Sequence, residues 1–316
     1  MSRLTKCDDR LLVKLELNNL GGSHKFRAAN HIVRCAIERG DIVPGKTTVI
    51  EKTGGNFGFG LLAACYQHNV QVDLAIGLSF SPLKRKLLES FGARLIGKDM
   101  LKEGMTPKEV VEHHLARQQQ LGRHYYYTDQ FNNPDGVEAH RCSTGRELAH
   151  QLSEQHVGKR FLFVGCAGTG ASFTGITLAL RESGFAVETA LVEPAGCDTR
   201  NGVFTDHRLE GMSVGVMPPF LDWSLVDAVH AVTLAETLEA QRDFYLRHGV
   251  HVGNTSAACF AVARQLLEHP RHRDKVIVTM AYDSGLWYAD HHRTLMEGSL
   301  KDHTSLQMSI IWWRGW

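Results

Sequence analysis

Three clusters of small and polar residues hold the chemistry open to this chain. Gly165-Cys166-Ala167-Gly168-Thr169-Gly170-Ala171-Ser172 follows an apolar run over 161–164 and precedes a helical pattern over 173–180. Small residues let backbone N–H groups approach an anion, a helix N-terminus adds positive dipole, and Thr169 and Ser172 add hydroxyl donors, so the turn suits a phosphate. A tight strand-to-helix turn without a ligand has the same composition. Glu51-Lys52-Thr53-Gly54-Gly55-Asn56-Phe57-Gly58 is a second such turn. Its side chains and N–H groups suit a carboxylate or a phenolate, or simply cap a helix. Upstream, Gly21-Gly22-Ser23-His24-Lys25-Phe26-Arg27 sets a lysine just before a helix expected over 27–39. A cation is disfavoured at a helix N-terminus, so Lys25 needs a reason to be there. A depressed pKa and a Schiff base with a carbonyl cofactor is one; a solvated surface lysine is the plain alternative, and Lys52 competes for the role.

Other patterns point elsewhere. Glu193 stands where a dinucleotide fold would place its ribose-binding acid, but Phe173 replaces the third glycine of the Gly-x-Gly-x-x-Gly order. Gly211-Met212-Ser213-Val214-Gly215 matches a nucleophile elbow, yet Pro218 and Pro219 oppose the helix that must follow it. Histidine is abundant at 18 residues, with no His-Glu-x-x-His and no ligand-like His/Cys spacing, so no metal is expected.

These residues need a scaffold, and its periodicity is visible. Short β-branched runs at 47–51, 72–76, 94–96, 125–128, 161–164, 187–192, 229–233 and 275–280 alternate with amphipathic segments, which predicts β-α units around a mostly parallel sheet. Thr106-Pro107-Lys108-Glu109 combines a capping Thr, Pro at the first helical position and Glu at the third, so a helix starts there and runs toward Leu121. Ser81-Pro82 opens another that Gly92 closes. The turn-rich stretch 129–136 separates two groups of strands and is the expected junction between domains.

With 316 residues the chain has length for about two domains of about 150 residues each. A net charge of +1 excludes a global field that recruits nucleic acid or an anionic membrane, so the partner is a small molecule. Seven scattered cysteines without a Cys-x-x-Cys pair indicate reduced thiols in a cytoplasm. No apolar run reaches a signal-peptide core or the roughly 20 residues of a membrane span.

Taken in order, the lysine after a glycine-serine turn, the Thr-Gly-Gly-Asn turn, the Gly-Thr-Gly turn and a late Asp283-Ser284-Gly285 resemble the fold-type II pyridoxal-phosphate enzymes. Within them the set is most similar to the cysteine synthase and cystathionine β-synthase family. Further stretches that look like the family are Lys14-Leu15-Glu16-Leu17-Asn18, Gln130-Phe131-Asn132-Asn133-Pro134, Val192-Glu193-Pro194 and Gly253-Asn254-Thr255-Ser256-Ala257-Ala258, and the similarity runs from about Lys14 to Tyr288. The resemblance implies an α/β fold of two three-layer domains with mostly parallel sheets, like the tryptophan synthase β-subunit. It places residues 19–133 in a smaller domain and residues 1–18 with 134–316 in a larger one.

The resemblance also implies roles. Lys25 would hold pyridoxal 5'-phosphate as a Schiff base and later remove the Cα proton. Gly168, Thr169, Gly170, Ala171 and Ser172 would hold the phosphate, Asn56 the phenolic oxygen, and Ser284 the ring nitrogen. A neutral hydroxyl there makes the ring a weaker electron sink than a carboxylate would, with Asp283 next door as the rival. Thr53, Gly54, Gly55, Asn56 and Gln130 would bind the substrate carboxylate. The implied reaction is β-replacement on an activated L-serine or cysteine-like amino acid through an aminoacrylate, with sulfide, a thiol or an amine as nucleophile, in a cytoplasmic homodimer. The alternative with the same cofactor is β-elimination of the serine/threonine dehydratase or cysteine desulfhydrase type; a non-catalytic binding protein is a third reading, against which Lys25 argues.

Three departures from the family bear on substrate. Gly54 replaces a hydroxyl residue and Phe57 a threonine, and the family's N-terminal segment with its short strand is missing before Lys14. The third is the apolar tail Ile310-Ile311-Trp312-Trp313-Arg314-Gly315-Trp316, expected to cover a partner subunit, the site or its own domain.

Overall fold

The computed structural model describes residues 2–288. Its strands are β1 (Arg3–Asp8), β2 (Leu11–Leu15), β3 (Thr47–Lys52), β4 (Gln71–Ala75), β5 (Arg94–Leu95), β6 (His124–Tyr127), β7 (Arg160–Cys166), β8 (Ala186–Pro194), β9 (Ala228–Val232) and β10 (Val276–Ala281). The helices are α1 (Lys25–Arg39), α2 (Asn56–Tyr66), α3 (Pro82–Ser90), α4 (Lys98–Lys102), α5 (Pro107–Ala116), α6 (Asp135–Ala139), α7 (Arg146–Glu154), α8 (Ala171–Glu182), α9 (Leu234–His248) and α10 (Asn254–Glu268). A six-stranded sheet runs β1-β2-β10-β7-β8-β9 and a four-stranded one β5-β4-β3-β6. Among the described strand pairings only β1–β2 is antiparallel. The central strands β3 and β7 are buried almost end to end, as strands covered by helices on both faces must be.

All eight expected strands are present, and the hairpin β1–β2 is the one the sequence reading lacked. Its polarity concealed it. β1 alternates exposed and half-buried residues around a single buried Leu4, and β2 carries a lysine at its fourth position. The segment before Lys14 is therefore a structured edge to the six-stranded sheet. Helix α1 begins at Lys25, two residues before the expected start. Helix α5 has the expected capping box, with Glu109 N donating to Thr106 Oγ1 at 3.3 Å and Thr106 N to Glu109 Oε2 at 2.7 Å. It stops at Ala116, because the polar run 117–120 has no apolar face to bury. The apolar tail 310–316 lies outside the described residues. No described helix is long and apolar enough to cross a membrane.

One buried ionic cluster ties the elements around the site. Lys14 on β2 and Glu16 just beyond it are fully buried; Lys14 Nζ donates to Glu147 Oε1 on α7 at 2.7 Å. Arg27 on α1 donates through Nε to Glu16 Oε2 at 2.6 Å and through Nη1 to Glu147 Oε2 at 3.1 Å. Two cations against two carboxylates leave no net buried charge. Each partner relieves the desolvation of the others, and the cations hold the Glu147 carboxyl down at about 2.

Candidate active site

The carboxyl ends of β3, β7 and β10 converge, and the clusters singled out in the sequence meet there. The chain leaves β10 into Tyr282 and Asp283, whose backbone secures the approach to α1. His24 N donates to Tyr282 O at 2.8 Å, and Ser23 forms an isolated antiparallel bridge with Asp283. Lys25 N donates to Ser23 Oγ at 3.3 Å, so Lys25 is held in place at the first turn of α1. Desolvation lowers the Lys25 pKa against an opposing charge effect from Cys166, and the lowering favours the uncharged amine a carbonyl requires.

Two cavities adjoin Lys25. The inner one is small, about 40 Å³, and is lined by Lys25, Asn56, Gly168, Thr169, Ser172 and Asp283 among others. The outer cleft, about 630 Å³, is lined by Lys25, Thr53, Gly54, Gly55, Asn56 and Gln130, and has the size of a small-molecule site. Lys52, the rival lysine, lies on the outer cleft with Nζ 5.6 Å from the Phe131 ring centre, and does not line the inner cavity.

The phosphate turn is shaped by backbone contacts. Gly170 has φ +87°, and a Cβ there would come within 2.4 Å of Leu221 N; at Gly168 it would lie 2.7 Å from Gly211 O. Ala171 N donates to Thr169 Oγ1 at 3.3 Å, and Thr169 is buried. Gly170 and Ala171 shape the turn from behind, while Gly168, Thr169 and Ser172 face the cavity at the start of the 12-residue α8. This is a receptor for an anion built from N–H groups, hydroxyls and a helix dipole.

The opposite wall departs from expectation. Asp283, and not Ser284, lines the inner cavity; the Ser284 hydroxyl accepts from Leu286 N at 3.3 Å. The Asp283 carboxylate accepts through Oδ2 from Asn56 Nδ2 at 2.5 Å and from the Tyr288 hydroxyl at 2.6 Å. Burial raises its pKa, against the pull of those two donors. Gly253 is required beside it, since a Cβ there would sit 2.0 Å from Asp283 Oδ1.

Three buried polar atoms on this inner cavity lack a hydrogen-bond partner: His24 Nδ1, Asn56 Oδ1 and Asp283 Oδ1. Orphaned polar atoms gathered around one cavity call for a polar occupant. A planar heteroaromatic phosphate with a carbonyl fits the donors present: an amine, an amide, a carboxyl and an anion turn. The sequence reading missed His24, Thr255, Tyr282 and Tyr288, which also line the cavity. Of these, Thr255 lay within a stretch already similar to the family, which was the available signal.

The loop expected to bind a carboxylate is fixed from beneath. Glu51 at the end of β3 is fully buried; its Oε2 accepts from Thr128 Oγ1 at 2.7 Å and Gln130 N at 3.2 Å, and its Oε1 from Lys52 N at 2.9 Å. Burial pushes its pKa up to about 7 despite those donors. Gly54 is glycine for a steric reason: a Cβ would meet Ile76 Cγ2 and Phe80 at 2.7 Å. Phe57 is buried on the same cleft. The other early rivals resolve as structure. Glu193 accepts from Thr199 N at 2.9 Å, and Ser213 is buried against Thr199 Oγ1 at 3.1 Å.

The sequence matches, over residues 1–283, the family described as pyridoxal-phosphate dependent enzyme, and the chain belongs to it. It is 29% identical over 281 residues to a cysteine synthase of Staphylococcus aureus, covering 87% of this chain and 86% of that protein. It is 30% identical over 287 residues to a cystathionine beta-synthase of Saccharomyces cerevisiae, covering 87% of this chain and 56% of that longer protein. An O-acetylserine dependent cystathionine beta-synthase from Helicobacter pylori superposes with a TM-score of 0.77 at 26% identity, covering 92% of this chain and 94% of that one. The α/β fold with mostly parallel sheets is that of the fold-type II pyridoxal-phosphate enzymes.

Proposed function

We propose that this chain catalyses β-replacement on an activated L-serine or cysteine-like amino acid, with sulfide, a thiol or an amine as the incoming nucleophile. The observation that carries this reading is the meeting of Lys25, the amide of Asn56 and the anion turn on one cavity whose buried polar atoms lack partners. When bound, pyridoxal phosphate supplies an electron sink for bond breaking at the amino-acid Cα and Cβ. Lys25 Nζ is the covalent anchor and, once released, the base that moves the Cα proton. Gly168, Thr169 and Ser172 bind the phosphate, with Gly170 and Ala171 holding the turn. Asn56 orients the phenolic oxygen, and Asp283 takes the wall position first expected of Ser284. Thr53, Gly54, Gly55, Asn56 and Gln130 present hydroxyl, amide and N–H donors to the substrate carboxylate. Similarity to a cysteine synthase and two cystathionine beta-synthases favours replacement over elimination.

The test is to incubate the holoenzyme with an O-acylated serine, with and without sulfide or a thiol, and follow products by mass spectrometry. A β-substituted amino acid whose formation depends on the nucleophile is expected. Pyruvate and ammonia released at the same rate without any nucleophile would overturn replacement. Division into a smaller domain, residues 19–133, and a larger one, residues 1–18 with 134–316, is part of the same proposal, supported by β1 and β2 joining the six-stranded sheet. So are a homodimer, testable by light scattering, and a cytoplasmic location, supported by seven cysteines all free of disulfides.

A further inference from the structure

His31 and Cys35 lie one turn apart on the same face of α1, and Asp135 opens α6, which packs against it. One ring nitrogen of His31, the Cys35 thiol and one Asp135 carboxylate oxygen all lie within 4.8 Å of one another, and all three residues are half-buried. His31 Nε2 is 3.5 Å from Cys35 Sγ. A tetrahedral zinc ion with bonds of about 2.0–2.3 Å sets its donor atoms about 3.3–3.8 Å apart. The His–Cys edge already has that spacing, and the carboxylate must close by about 1.5 Å at most. On the other side of the imidazole, Cys142 Sγ faces Nδ1 at 3.9 Å. That is the place of the outer partner that fixes a ligating histidine's tautomer and leaves Nε2 to the metal. Arg39 Nη1 engages Asp135 Oδ2 at 3.0 Å, and a carboxylate can serve a cation through its other oxygen.

We propose that His31, Cys35 and Asp135 form a site for a thiophilic divalent cation of the zinc class, with a fourth position open to water. Imidazole, thiolate and a single carboxylate select zinc over magnesium or calcium. The site is separate from the cofactor cavity, and the chemistry above needs none of its side chains. Its consequence is mechanical: the ion would pin α1, which begins at Lys25, to α6, which begins five residues after Gln130. This departs from the expectation of no metal, because the third ligand comes from α6 and reaches His31 and Cys35 only once α6 packs against α1.

Cobalt(II) titrated into untagged, metal-stripped holoenzyme is the probe, read by difference absorption against the same holoenzyme without metal. One Co²⁺ per chain with a thiolate-to-metal charge-transfer band, displaced by Zn²⁺, is the expected result. Cys35→Ser should abolish that band, while Cys142→Ala should keep it and weaken affinity by about tenfold, as loss of an outer partner does. Asp135→Asn, which keeps the side-chain shape at a half-buried position, should weaken Co²⁺ binding by tenfold or more and serves if Cys35→Ser fails to fold. Absence of the band in the unmodified protein, its survival in Cys35→Ser, or unchanged affinity in Asp135→Asn would each overturn the site.

Discussion

At the residue scale, the site depends on groups whose ordinary behaviour burial has changed. Lys25 is the clearest, a lysine whose amine is desolvated at the first turn of a helix. Lys25→Ala should lose the visible absorbance that borohydride bleaches in the parent and lower turnover by about 10²–10⁴-fold, the usual scale for removing a positioned base. Gly54 makes a second test. Restoring the family's hydroxyl with Gly54→Ser forces a Cβ into Ile76 and Phe80. Overpacking of this kind costs about 1–3 kcal/mol, which corresponds to about 5- to 160-fold in kcat/KM where it is felt in the transition state. Adding Phe80→Ala should recover most of that loss in steady-state assays. Recovery would show that the missing hydroxyl was displaced by local packing; no recovery would place the defect in the backbone of the loop.

At the scale of elements, three carboxylates fasten loops and helices in different ways. Glu16 and Glu147 join β2, α1 and α7 through Arg27, so Arg27→Met leaves carboxylate charge buried with one cation fewer. Breaking such a cluster from one side costs about 3–5 kcal/mol, which a urea midpoint would register. Glu51 fastens β3 to the segment carrying Gln130 while titrating near neutrality. Its folded pKa, about 7, lies above its ordinary 4.5, so the folded state holds the proton more tightly. Stability from this group is therefore present below about pH 4.5 and is lost as pH rises toward 7. The total is up to about 3 kcal/mol at 1.36 kcal/mol per unit. Glu51→Gln, which keeps the shape and removes the charge, should abolish that decline in melting temperatures measured across the interval.

At the scale of the whole molecule, the buried histidines work in the opposite direction. His140 is pushed down to about 3, and His24 well below its ordinary 6.5, in both cases by burial first and the neighbouring Lys25 second. Both are neutral in the folded protein, so the stability they contribute is present above pH 6.5 and is lost as pH falls through that value toward 3. Two histidines outweigh one glutamate between 4.5 and 6.5, so net stability should rise with pH there. Acid unfolding should begin just below pH 6.5 with uptake of more than one proton. His140→Gln should make that limb shallower in melting curves, whereas an unchanged limb would assign acid sensitivity to other groups.

The sequence by itself determined the alternation of strands and helices, the capping of α5, and the order of Lys25, the Asn56 turn and the Gly168–Ser172 turn. These are local properties: periodicity, caps and small residues act over a few positions. It did not disclose the hairpin β1–β2, because a buried Lys14 reads as a surface residue until Glu147, more than a hundred residues away, is brought beside it. Nor did it show which of the neighbours Asp283 and Ser284 would face the cavity; the resemblance pointed to Ser284, with Asp283 as its rival. The tertiary structure sets Asn56 and Tyr288 against the aspartate and turns it, not the serine, to the inner cavity. The companions of Lys25 on the inner cavity are scattered from His24 to Tyr288, so only folding brings them together. Burial, which turned Glu51, His24 and Lys25 from ordinary titrating groups into shifted ones, is likewise a property of the packed molecule alone.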